Sequence, residues 1–273
     1  GIRDATTDAE AELDGAKAFQ EAILTSDTCT KSCSAKIETP AGEITVGGVV
    51  KGAGMIEPNM ATMLAFLTSD ASVSNPFLQD TLPHAVNQSF NRITIDGDMS
   101  TNDSVLFMAN GASGLSIEKE PAGVRLEFAK AVDAVCACLA RKCVCDGEKV
   151  TKFVKVKVAG APDARAAEKV ARIVANSLLV KSSWYGSDPN WGRVVDAAGY
   201  AKVGLDIDKL DMQYDEVPAL IKGEPVQENK GKWKEIVSGK QFGIRLDLNL
   251  GSGESEIWSN DLSEEYVNFN KSE

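Results

Sequence analysis

Val46-Gly-Gly-Val-Val-Lys-Gly-Ala-Gly-Met-Ile-Glu-Pro-Asn-Met-Ala-Thr-Met-Leu-Ala-Phe66 is the stretch on which the reading of this chain turns. Four glycines (Gly47, Gly48, Gly52, Gly54) and Lys51 come first, followed by Met60-Ala-Thr-Met-Leu64. Glycine lets the backbone reach positive φ and come close to another group. Pro58 fixes its own φ and drives Glu57 out of the helical region. A kinked, glycine-rich connection therefore leads into a strand candidate, Thr62–Thr68, with a threonine at its first position. Small Ala61 leaves the Ala61–Thr62 peptide bond sterically open. A threonine hydroxyl so placed can attack the preceding carbonyl and shift the acyl group from nitrogen to oxygen. Hydrolysis then frees a new N-terminal threonine, whose α-amine has an ordinary pKa of about 7.7–8.0. Such an amine can activate its own hydroxyl as a nucleophile. Taken alone, the same residues also read as a glycine-rich turn before a buried strand, because short motifs match by chance often.

Upstream, Asp8 can cap a helix running through Leu13, Ala16, Phe19, Gln20 and Ile23, which ends near the polar turn Thr25–Thr28. Strand-like runs follow at Ala35–Glu38 and Glu43–Val50, separated by Pro40-Ala-Gly42. Cys29 and Cys33 are expected in a loop. Downstream, Asn75–Phe90 reads as helix with a break at Pro83. The polar stretch Asp96–Asp103 reads as a side-chain-capped loop leading into a helix over Asp103–Asn110, which Gly111 can terminate. A long helix is expected over Ala122–Arg141. Thr151–Val158 alternates Val154, Val156 and Val158 against Lys155 and Lys157, the pattern of a half-solvated strand. Asp163 can cap a helix running through Val170, Ile173, Val174 and Leu178. Asp188–Arg193 reads as a turn before a short helix, Arg193–Tyr200. Gln227–Lys232 is a polar loop, and Phe242–Leu250 is a second alternating strand. Strands and helices mix without regular βαβ alternation, which points to α+β.

The 273 residues can bury a sizeable core as one or two domains. Forty acidic residues against 29 basic ones give a net charge of −11, which argues against nonspecific nucleic-acid binding. A local basic site for an acidic substrate remains compatible with that balance. No apolar run is long enough to span a membrane. Cys136, Cys138, Cys143 and Cys145 form C-x-C-x4-C-x-C, not a usual zinc spacing. With Phe128, Val132, Val135 and Leu139 they follow helical spacing, so they read as reduced thiols on a helix. An intracellular, reducing compartment fits, with the cytoplasm expected, or the mitochondrial matrix in a eukaryote.

Several other chemistries fail on particular residues. The single histidine, His84, follows Pro83 on the expected helix and reads as a surface or capping residue rather than part of a Ser-His-Asp triad. Asp96, Asp98 and Ser100 hint at a calcium loop, but Thr101 replaces the turn glycine and Phe107 the bidentate glutamate. Gly47–Gly54 lacks the Gly-Lys-Ser/Thr of a phosphate-binding loop.

Lys51-Gly-Ala-Gly-Met-Ile-Glu-Pro-Asn-Met-Ala-Thr-Met-Leu64 resembles the cleavage-site signature of the ornithine acetyltransferase (glutamate N-acetyltransferase) family. Phe90-Asn-Arg-Ile-Thr-Ile-Asp-Gly-Asp-Met-Ser-Thr-Asn-Asp103, Asp146-Gly-Glu148 and Asp188-Pro-Asn-Trp-Gly-Arg193 agree with it, in the family's order and across nearly the whole chain. The resemblance implies the α+β sandwich of sheets and helices found in self-cleaving, N-terminal-nucleophile-like acyltransferases. Residues 1–61 would be the C-terminal part of an α chain, and 62–273 a β chain beginning with the nucleophile. Thr62 would carry the acetyl group from N-acetylornithine to glutamate, with no metal or organic cofactor. Acetyl-CoA serves some members as a second donor. Thr25, Lys51, Glu148 and Asn270 match substrate-contacting positions. Lys51 can meet a carboxylate, Glu148 an ammonium group, and Thr25 and Asn270 the amino-acid backbone of the substrate. Two copies of each cleaved chain are implied.

Three departures from the family pattern stand out. Met99 occupies a position usually held by threonine. The family ends with a threonine or serine a few residues beyond the asparagine matched by Asn270, whereas this sequence stops at Glu273, so that substrate contact is expected to be absent from it. Gly1–Glu12 has no signal- or transit-peptide character, and the resemblance implies that the amino-terminal third is missing. That third would carry the Thr-Gly pair of the family's oxyanion hole. Loss of one oxyanion donor costs about 100–1000-fold in rate, so this stretch alone is expected to be a poor enzyme. Two other readings remain. The same nucleophile could pass its acyl group to water, as an amidohydrolase or aminopeptidase, or the chain could be an uncleaved, inactive relative.

Overall fold

The computed structural model describes residues 13–54, 56–57, 63–99 and 101–271. The chain divides into two compact units, one of residues 1–53, 60–90 and 101–143, the other of 54–59, 91–100 and 144–273.

The first unit is built on a four-stranded sheet in the order β1-β2-β3-β4. β1 (Lys31–Thr39) and β2 (Gly42–Lys51) form a tight hairpin, with Thr39 opposite Gly42. Pro40-Ala41 makes the turn, as expected, and Gly42 accepts a φ of +147° that a side chain would resist. β3 (Leu64–Ser69) runs antiparallel to β2, and β4 (Ser104–Ala109) runs parallel to β3. Successive side chains point to opposite faces of a strand. Phe66 meets Phe19 of α1 (Leu13–Ala22) at 5.2 Å between ring centres, edge to face. Leu67 points the other way, toward α3 (Ala122–Cys145). A Cβ on Gly48 would lie 2.6 Å from Leu67 and 2.8 Å from Leu139 of α3, so this glycine is where helix and sheet close up. Phe128, Val132, Val135, Cys136, Leu139 and Cys143 are all buried along α3, as their spacing predicts. Burial and the charge of Asp133 push the Cys136 thiol up to about 12. α2 (Asn75–Gln88) packs Phe77 edge-on against Phe128.

Three expectations in this unit need correction. Asp103–Asn110 is not a helix; its apolar run is β4. Pro83 does not break α2, because the carbonyl that loses its partner belongs to exposed Gln79, where water can replace the lost bond. Cys33 lies in β1 and not in a loop. The Asp8 cap and the start of the strand at Thr62 fall outside the described residues.

The second unit carries a six-stranded sheet in the order β10-β5-β9-β6-β7-β8. β5 (Phe153–Ala161) lies between antiparallel β10 (Gly253–Asn260) and parallel β9 (Gln241–Asp247). β6 (Asp211–Tyr214), β7 (Val217–Ile221) and the short β8 (Glu224–Pro225) extend it as antiparallel strands. Val154, Val156 and Val158 enter one core with Phe242, Ile244 and Leu246, against helices α4 (Ala164–Asn176), α5 (Leu178–Tyr185), α6 (Trp191–Gly199) and α7 (Lys230–Ser238). Lys155, Lys157 and Arg245 line the opposite, polar face. The alternation read in β5 and β9 is therefore the partition between core and solvent.

Asp163 caps α4 by accepting the Ala166 amide at 2.8 Å. The helix expected through Leu178 stops at Asn176, because Ser177 turns extended and caps α5 instead. The polar stretch Gln227–Lys232 is not a loop. It forms a 3-10 turn and the start of α7, whose Trp233 and Val237 are buried. α8 (Glu264–Asn270) closes the chain, capped by Ser263. Among the described residues no helix is long and apolar enough to cross a membrane.

Candidate active site

Thr62 and Ala61 lie outside the described residues. In the first unit, Lys51 ends β2 and pairs in register with Leu64, two residues past Thr62. Its ammonium group donates to the Thr25 hydroxyl at 3.5 Å. That hydroxyl in turn donates to Asp27 at 3.3 Å. Asp27 is a buried hub that also accepts from the Thr25 and Gly52 amides at 3.1 and 2.7 Å and from Lys31 at 2.5 Å. Burial raises the Asp27 carboxyl, but Lys31 and the two amides outweigh it and hold the group below the ordinary carboxylate value. Thr25 and Lys51, distant in sequence, are therefore brought together by a carboxylate that the sequence reading passed over.

Asp103 was missed as well. It is 7% exposed, and one of its oxygens accepts the Met63 amide. Burial lifts its carboxyl to about 6, against the pull of the Met63 amide and of Lys51. The sequence offered one hint, its place at the end of the Phe90–Asp103 stretch.

In the second unit, Glu148 and Asn270 come together, with the Asn270 amide donating to Glu148 at 3.1 Å. A Cβ on Gly54 would fall 2.6 Å from the Glu148 carboxyl, so the last glycine of the rich stretch is what admits this side chain. The loop carrying Glu148 is held from the end of β10. Asp261 accepts the Thr151 and Lys152 amides at 2.8 and 3.0 Å, and Ser263 donates to the Lys149 carbonyl at 2.7 Å. Asn260 reaches the Val144 carbonyl at 3.4 Å. Behind Asn260, buried Lys181 donates to its carbonyl at 2.6 Å, to its side-chain oxygen at 2.9 Å and to the Ser259 hydroxyl at 3.1 Å. Burial lowers Lys181 to about 7, although Asp261 and Asp96 favour its charged form. Burial, then the negative charges of Asp96, Glu148 and Asp98, push Tyr266 up to about 12, so the surroundings of Glu148 are electronegative.

The other motif stretches do structural work in this unit. Asp96 accepts the Ile56 amide at 3.1 Å, and Ile95 donates to the Ile56 carbonyl at 2.7 Å, which pins residue 56 to the polar loop. Glu57 is held by Asn176 at 2.5 Å and by Arg172 at 3.4 Å. Asn190 caps α6, and Arg193 donates to the Leu179 carbonyl at 2.9 Å. Exposed His84 sits 3.9 Å from Asp133, in the surface role expected of it. The six cysteines, all among the described residues, form no disulfide. Among the described residues no group of three or more His, Cys, Asp or Glu is placed to hold a metal ion.

A family model described as the ArgJ family matches residues 1–272. The arginine biosynthesis bifunctional protein ArgJ of Staphylococcus epidermidis is 43% identical over 252 residues, covering 92% of this chain and 64% of that protein. Its namesake from Thermotoga neapolitana is 43% identical over 256 residues, with the same shares. A crystal structure of the arginine biosynthesis bifunctional protein ArgJ from Bacillus halodurans matches with a TM-score of 0.72 at 34% identity, covering 78% of this chain and 100% of that one. The α+β fold is therefore that of a solved relative. The chain spans just under two thirds of the length of the curated relatives it matches. With nearly every residue matched by the family model and relatives above 40% identity, the chain belongs to the ArgJ family.

Proposed function

We propose that this chain is part of an acetyltransferase of arginine biosynthesis, which moves an acetyl group from N-acetylornithine to glutamate through Thr62. The observation that carries the reading is the pairing of Lys51 with Thr25 on a strand end in register with Leu64, two residues past Thr62. A cation and a hydroxyl at that strand end suit an amino-acid carboxylate. Glu148, steadied by Asn270 in electronegative surroundings, suits a substrate ammonium group.

The chemistry runs in two stages. First the Thr62 hydroxyl attacks the Ala61 carbonyl, the C–N bond breaks, and water hydrolyses the ester. Ala61 is left with a carboxylate and Thr62 with a free α-amine. In each turnover the amine takes the hydroxyl proton as the oxygen attacks the acetyl carbonyl. Ornithine leaves with that proton, and an acetyl-threonine ester remains. The glutamate amine then attacks the ester carbonyl, the C–O bond to Thr62 breaks, the proton lost by that amine passes through the α-amine to the threonine oxygen and restores the hydroxyl, and N-acetylglutamate departs. One hard transfer becomes two easier ones, with ping-pong kinetics. Two copies of each cut polypeptide would form the working enzyme, and acetyl-CoA is a second donor to assay.

The test is a denaturing gel and intact masses of the full-length protein, before and after exposure to N-acetylornithine. Two polypeptides, the second beginning Thr62-Met-Leu and gaining one acetyl group, support the reading. A single unlabelled polypeptide refutes it, and acetyl release to water but never to glutamate moves the protein to the amidohydrolases. Gly54→Ala offers a second check. Its new Cβ would displace the Glu148 carboxyl, so KM for N-acetylornithine should rise about tenfold, consistent with one lost charge-assisted contact. An unchanged KM would remove Glu148 from the substrate site.

A further inference from the structure

Two cysteines of the first unit meet where β1 packs on α3. Successive residues of a strand point to opposite sides, and residues opposite each other in register share a side. Cys33 of β1 lies opposite Gly48 of β2. A Cβ on Gly48 would fall 2.8 Å from Leu139 and 3.2 Å from Val135, so that side of the hairpin is the one α3 covers. On α3, Val135, Cys138, Leu139 and Lys142 follow the spacing i, i+3, i+4, i+7 and form one stripe. Lys142 donates to the Ser32 carbonyl, one residue before Cys33, so the stripe that carries Cys138 is seated along β1 at Cys33. The two cysteine side chains hydrogen-bond to each other. Burial, then that bond, push the Cys33 thiol up to about 11, against the pull of the Lys142 charge. Both thiols are half-buried, whereas Cys136 and Cys143 are buried and Cys29 and Cys145 exposed. A disulfide needs Cα atoms about 4.4–6.8 Å apart. A helix comes that near a sheet where small residues lie between them, and Gly48 supplies the gap beside Cys33.

We propose that Cys33 and Cys138 are a peroxide-sensitive dithiol, a modification site that closes to a disulfide between β1 and α3 and reopens with a dithiol reductant. It stands apart from the acetyl-transfer reading and uses none of its residues. Cys33 keeps its proton, so Cys138 reacts first. The Cys138 thiolate attacks one oxygen of hydrogen peroxide. The S–O bond forms, the O–O bond breaks, and the departing hydroxide takes the proton that the Cys138 thiol gave up, leaving as water. The Cys33 sulfur then attacks the sulfenic sulfur of Cys138. The S–S bond forms, the S–O bond breaks, and the Cys33 proton leaves with the hydroxyl as a second water. The two sulfurs together lose two electrons, and peroxide gains them. A second thiol at hand diverts the sulfenic acid from irreversible oxidation to sulfinic acid. In a reducing compartment such a bond is transient, formed under oxidative load and undone afterwards.

The experiment treats the reduced full-length protein with hydrogen peroxide in small excess, then counts thiols in denaturant and maps peptides by mass. Two thiols should be lost. The peptides bearing Cys33 and Cys138 should appear joined, two hydrogens lighter than their sum, and dithiothreitol should part them again. Cys33→Ser should stop at the sulfenic acid of Cys138, trapped by a cyclic 1,3-dione. Cys138→Ser should leave Cys33 unoxidised at the same dose. Cys33 and Cys138 both remaining open to alkylation at that dose would overturn the assignment, as would a link from either one to exposed Cys29 or Cys145. A sulfenic acid trapped at Cys33 in Cys138→Ser would overturn the order of attack. If either variant does not fold, the wild-type peptide map decides alone, and the absence of the Cys33–Cys138 link overturns the proposal.

Discussion

Thr62→Ala should leave one uncut polypeptide and lower acetyl transfer to glutamate by about 1000-fold or more, the scale expected when a nucleophile is removed. Alanine has no hydroxyl to attack the preceding carbonyl and none to carry the acetyl group, so both stages fail at once. Thr62→Ser keeps the hydroxyl and should restore cutting and part of the transfer. The substitution leaves the β2–β3 register and the Met63–Asp103 bond untouched. Circular dichroism and the unfolding midpoint should therefore match wild type. Transfer within tenfold of wild type in a folded Thr62→Ala protein would end the acyl-carrier mechanism.

Lys181→Ala should destabilise the second unit by about 3–5 kcal/mol, the cost of removing one partner from a buried polar cluster. The variant leaves the Asn260 carbonyl and side-chain oxygen without their donor and opens a cavity under the Glu148 loop. Lys181→Met fills much of that space and isolates the electrostatic part. The lysine is lowered from 10.5 to about 7 in the folded chain by burial. Between those values the unfolded chain keeps a proton that the folded chain has released. Wild-type stability should therefore rise with pH across about 7 to 10.5, a slope that Lys181→Met lacks. Below that window both states hold the proton and the slope from this residue vanishes. Urea unfolding of both proteins across the window checks the sign. A flat difference between them would show that Lys181 keeps its charge when folded.

Elements that carry their own period were legible in the sequence. The valines of β5, the helical spacing along α3 and the Asp163 cap all appear where the pattern puts them. β4 was not legible, because Ser-Val-Leu-Phe-Met-Ala has no alternation and sits between a possible cap and a glycine. Only its pairing with β3, far away in sequence, makes it a strand. The buried end of β10 was hidden for a related reason. Ser259, Asn260 and Asp261 look like a solvated turn, yet they are buried because Lys181 and the Glu148 loop supply their partners. The site divides in the same way. The resemblance pointed to Thr25, Lys51, Glu148 and Asn270, and the geometry joins them in two pairs. Asp27 and Asp103 had no local signal, since their importance lies in the amides that fold onto them from 25 and 40 positions away.

The antiparallel partnership of β2 and β3 bears on what a break before Thr62 would do. β1 and β2 precede that bond, whereas β3 and β4 follow it, and six residue pairs from Val46↔Ser69 to Lys51↔Leu64 stitch the halves together. Pulling them apart would bare two raw sheet edges and the apolar layer beneath them. Scission would thus sever the covalent thread without loosening the particle: both pieces should co-purify under native conditions, and only a denaturant would part them.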